Sequence, residues 1–70
     1  MTYEVWDGVG GNRLGGFPRL DDALELVREM AELDGPDVVN DLQIEAVSGH
    51  EAKVVLEGQA LVARALGATA

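Results

Sequence analysis

The chain has 70 residues, 47% of them apolar, and thirteen acidic side chains against five basic ones give a formal net charge of −8. That length allows one domain, residues 1–70, and the charge argues against nucleic acid and anionic lipid as partners, because affinity for phosphate rests on gathered cations and Arg13, Arg19, Arg28, Lys53 and Arg64 are scattered among acids. A chain this short buries only about 60% of its extended surface, and with no cysteine it has neither disulfides nor thiolate ligands for zinc, so oligomerisation is the expected support.

Tyr3-Glu4-Val5-Trp6 alternates and is rich in aromatic and β-branched residues, which predicts a first strand. Gly8-Val9-Gly10-Gly11-Asn12 breaks that pattern with residues that tolerate positive φ and can reverse the chain. Arg13 to Phe17 returns as a second strand, whose paired glycines Gly15 and Gly16 predict a bulge or a close backbone approach. Pro18 ends it. A helix follows to about Asp34, with Leu20, Ala23, Leu24, Val27, Met30 and Ala31 at helical spacing and Leu26 and Leu33 widening the apolar arc. Asp21 and Asp22 suit the first turn of its dipole, and Gly35-Pro36 is a stop signal.

After a short acidic turn, Leu42, Ile44 and Ala46 alternate with Gln43, Glu45 and Val47 as a third strand. Ser48-Gly49-His50-Glu51 turns the chain, and Ala52 to Glu57 forms a fourth strand with Val54 and Leu56 inward. Gly58 opens a short helix, Gln59 to Leu66, which Gly67 closes. The order is ββαββα. It predicts an α+β fold with a four-stranded, mostly antiparallel sheet, one long helix on one face and a short C-terminal helix.

Tyr3, Val5, Ile44, Val54 and Leu56 can serve one sheet face, which leaves Trp6, Leu14, Val47 and Val55 for the other. A solvated face should be polar, so either the C-terminal helix covers this one with Leu61, Val62, Ala65 and Leu66, or a second subunit does. Trp6 is either packed beneath that helix or central to an interface, where aromatics are enriched. Leu26 and Leu33, flanking the long helix, are a second candidate interface or edge-of-core packing, with the latter expected.

The chemical motifs fail on spacing. From Gly8, G-x-G-x-x-G meets Arg13, and from Gly10 the P-loop pattern reaches Gly16-Phe17 with no lysine. His50 is expected as an exposed turn residue, since Ser48 and Glu51 beside it cannot converge as a triad. Asp34, Asp37 and Asp41 lack the spacing and terminal glutamate of an EF-hand loop. No cofactor or metal is expected, and the chain is not expected to be an enzyme. No stretch reaches the ~20 apolar residues that cross a bilayer, and the N-terminus lacks a basic start and apolar run. A cytoplasmic location follows as an expectation.

Tyr3-Glu4-Val5-Trp6-Asp7, Asn12-Arg13-Leu14-Gly15, Leu20-Asp21-Asp22-Ala23-Leu24 and Leu56-Glu57-Gly58 with Ala60-Leu61 resemble a set of short, uncharacterised bacterial proteins. These begin Y-E-[LV]-W-D, continue with N-x-[LV]-x-x-[FY] and an acidic E-A-L helix, and end in E-G-x-x-L. The resemblance spans nearly the whole chain and implies the same ββαββα layout in a bacterial cytoplasm, with no activity or site residues attached. Where that pattern often has a serine or threonine cap, this chain has Arg19, so the capping box ending at Asp22 is not expected. The hairpin and acidic helix are also similar, in architecture alone, to HicB-type antitoxins, which bind a basic toxin, but the DNA-binding extension of many of those proteins is missing. These readings predict a non-catalytic protein-interaction module that forms a homodimer. The alternatives are an antitoxin-like acidic regulator with a basic protein partner, and a small-ligand binder.

Overall fold

Val5, Ile44 and Leu56 lie side by side across three strands and are buried; the rest of the fold is arranged to keep them so. In the computed structural model, which describes residues 1–67, β1 (Thr2–Asp7) and β2 (Asn12–Phe17) form a hairpin, followed by α1 (Leu20–Asp34). A 3₁₀ turn (Pro36–Asp41) leads into a second hairpin of β3 (Leu42–Ser48) and β4 (Glu51–Glu57), and then into α2 (Gly58–Val62) and a π-helical turn (Ala63–Gly67). The four strands make one sheet in the order β2-β1-β3-β4, with every neighbour antiparallel. This is the predicted ββαββα, α+β arrangement, with the two hairpins joined through their first strands.

α1 begins without a side-chain cap: Arg19 is extended and makes no capping hydrogen bond, and its carbonyl accepts from the amides of Asp22 and Ala23. Asp21 and Asp22 in the first turn complement the helix dipole instead. The helix buries Ala23, Leu24, Val27 and Ala31, a stripe set by the 3.6-residue period. It ends where Gly35, at φ 93°, donates its amide to Ala31 O at 2.9 Å, a backbone conformation that favours glycine.

The segment predicted as a short acidic turn contributes to the core. Pro36 opens a 3₁₀ turn, and its three-residue period places Val39 and Leu42 on one side, where both are buried. Asp37, Asn40 and Asp41 remain exposed.

The alternation expected of β4 needs correction, whereas β2 has the bulge that is one of the two readings of its paired glycines. Ile44 pairs with Leu56, but Glu45 pairs with Val54, so Val55 is an extra residue in β4. Val5 pairs with Gly15 and Trp6 with Arg13, so Leu14 is the extra residue in β2. Each bulge resets the two-residue alternation of its strand. Val54, predicted inward, is therefore carried to the outer face opposite Glu45 and is exposed. Both bulges lie on edge strands, where they deform the pairing edge.

Candidate interaction surface

Both helical segments lie on one side of the sheet. Leu61 of α2 and Ala65 of the π turn are buried in the same cluster as Val5, Val27 and Ile44, and Arg28 Nε of α1 donates to Ala65 O at 2.9 Å. Of the two covers considered for the second sheet face, the C-terminal helix is ruled out, because it packs on the core side. Gly58, at φ 57°, bends the chain as β4 ends; α2 then packs on the 3₁₀ turn and the π turn on α1, in the layer already formed. Among the described residues, no element is laid across the outer face.

Strand register defines that face. Gly16, Glu4, Glu45 and Val54 form one transverse row. Arg13, Trp6, Gln43 and Glu57 form the next, and Thr2, Val47 and Ala52 form a third. Trp6 and Val47 are half-buried without any helix above them. The surface is an aromatic and three small apolar side chains set among carboxylates.

A polar network fixes the centre. Trp6 Nε1 donates to Glu4 Oε1 at 3.2 Å, while Arg13 Nε pairs with Glu4 Oε2 at 3.2 Å. Arg13 reaches Glu4 by lying over Gly16, where a Cβ would collide with its guanidinium. Gln43 Nε2 donates to Glu45 Oε2 at 2.9 Å. Glu4 and Glu45 stand directly opposite each other on β1 and β3, an arrangement that is unfavourable for like charges. Glu4 has its cation; Glu45 has only an amide.

The predicted interface residues divide into two groups. Trp6 and Val47 share the outer face, and the bulge residues Leu14 and Val55 are exposed at its two edges. Leu26 instead packs against the core beside Gly15 and Phe17, as edge-of-core packing requires. Leu33 does not: it is 84% exposed near the end of α1, because the Gly35 turn carries the chain away from it. Val54, expected inward, joins the outer face, and Glu4 meets Glu45 there; both follow from pairing between strands, which alternation within one strand does not specify.

The other chemical candidates remain apart. Asp7 Oδ1 accepts the amides of Val9 and Gly10 at 2.9 and 3.1 Å, so the glycine-rich loop turns its donors toward its own aspartate. His50 is exposed in the second hairpin turn. Among the described residues, no group of three or more His, Cys, Asp or Glu is placed to hold a metal, and no helix is long and apolar enough to cross a membrane. Two open grooves flank α1. One of ≈ 380 Å³ lies against Ala65 and Leu66, and one of ≈ 340 Å³ lies against Phe17 and Leu26. The first also takes in Arg28 and Glu32, and the second the carboxylates of Asp22, Glu25 and Glu29. No known protein family, curated protein or solved structure matches the chain.

Proposed function

We propose that this chain is a non-catalytic protein-interaction module that works through the outer face of its sheet. The observation that carries the reading is the placement of both helical segments on the opposite side, which leaves Trp6, Val47 and Val54 among polar neighbours with no cover from the described chain. Tryptophan flanked by a polar rim is the composition found at the energetic centre of protein interfaces.

Self-association is a second reading, and a different feature favours it. β4 is an edge strand with Val54 and Val55 both exposed, and two such strands paired about a two-fold axis would continue the sheet. Acidic Glu51 and Glu57 and the bulge at Val55 work against that pairing.

A photoreactive residue placed at Val47, on the outer face, and separately at Glu32, on the exposed side of α1, tests the proposal in the host cell. A discrete adduct from position 47 and none from 32 is the expected result. An adduct with a second copy of the chain selects self-association, and no adduct from position 47 refutes the module reading.

A further inference from the structure

We infer that the occupant of the outer face is an arginine-bearing segment of a basic protein, with its guanidinium seated between the carboxylate of Glu45 and the indole of Trp6. This rests on the reading of that face as a binding surface and adds the chemistry of what binds.

Charge on the face is one-sided. Glu4, Glu45 and Glu57 share it with Arg13, whose guanidinium is held by Glu4. Among the described residues Glu45 faces Glu4 across the β1–β3 pair with no cation of its own, and an incoming positive group there relieves a like-charge opposition. The aromatic needed for such a group stands one step away. Glu45 and Trp6 are diagonal neighbours on adjacent strands, a separation of about 7–8 Å that long side chains bridge. The Trp6–Glu4 hydrogen bond holds the indole in place. Guanidinium suits the gap better than ammonium, because it is planar, stacks on an indole and donates to a carboxylate as a fork.

The same observations disfavour a second copy stacked face to face. Two such faces would bring three carboxylates of each chain toward those of the other, between molecules that each carry −8.

Trp6 is the sole tryptophan, so its emission reports on this face directly. The purified chain is titrated at low salt with a short blocked peptide of alternating arginine and alanine, and with lysine and glutamate counterparts. The expected result is a saturable change with the arginine peptide, a weaker one with lysine and none with glutamate. Glu45→Gln weakens arginine-peptide binding by about fivefold or more, while Glu32→Gln on α1 leaves it within about twofold. Absence of a saturable change, or equal losses in the two variants, overturns the inference. So does Trp6 emission that shifts with protein concentration alone, which assigns the face to a second copy. An adduct at position 47 with a different protein, combined with a failed titration, retains the module and rejects only the arginine.

Discussion

Two adjacent rows of the sheet show how closely core and surface are interleaved. In the inner row, Gly15, Val5, Ile44 and Leu56 lie beneath α1 and α2, and its three side chains are buried. One step along β1 and β3, the row of Gly16, Glu4, Glu45 and Val54 carries two facing carboxylates and an exposed valine. The two rows face opposite sides of the sheet, so the difference lies in what covers each face. A covered face is settled by apolar area removed from water. An uncovered face is settled by short-range polar pairing, and here that pairing is incomplete at Glu45.

Substitutions that exchange the character of the two rows test this contrast. The largest effect is expected for Ile44→Ala, which opens a cavity under α1 and costs about 2–5 kcal/mol, a large share of what a domain of this size has. Urea unfolding followed by Trp6 emission should show a far lower midpoint or a chain already unfolded; a midpoint near that of the parent would mean that the inner row is not the core.

The paired glycines give a sharper comparison within one strand. A Cβ on Gly15 would stand 3.1–3.3 Å from Phe17 and Leu26, so Gly15→Ala crowds the core side and costs about 1 kcal/mol. On Gly16 the same methyl crowds the far end of the Arg13 side chain, which can swing aside, and meets Thr2 Cγ2 at an ordinary 3.6 Å. Gly16→Ala is therefore expected to stay within about 0.5 kcal/mol of the parent while it weakens the Arg13–Glu4 pair. The two midpoints measured side by side check the assignment, and equal losses would contradict it.

The smallest expected effect has the opposite sign. Glu45→Gln removes the like-charge opposition to Glu4 and should stabilise the fold by about 0.2–1 kcal/mol, an advantage that shrinks as salt screens the parent's repulsion. Thermal melts at low and high ionic strength read it. Combined with weaker arginine-peptide binding, such a gain would mean that Glu45 is retained for recognition at a cost to stability; a destabilised variant would mean that its bond with Gln43 outweighs the repulsion.

Several features were legible because they are local. The span of α1 follows from the spacing of Ala23, Leu24, Val27 and Ala31, and its end follows from Gly35-Pro36. The strands around Val5 and Ile44 follow from alternation, and Gly49, at φ 60°, closes the second hairpin where the turn residues predicted it. Val39 was also within reach, because the spacing from Val39 to Leu42 fits a 3₁₀ period despite the acids around it. Of the candidate surface, Trp6 and Val47 could be read from alternation within their own strands, whereas Leu33 belonged to the apolar arc of α1 without a neighbour to cover it.

The sequence by itself determined which segments are helix and strand and where most of them turn, since hydrophobic period, glycine conformation and proline geometry act over a few residues. Tertiary structure alone decided the sheet order β2-β1-β3-β4, the bulge at Val55 and the side taken by α2. Each of these depends on which strand lies beside which, and a bulge of one residue reverses every facing beyond it. The opposition of Glu4 and Glu45, forty-one positions apart in the chain, exists only once β1 and β3 have paired.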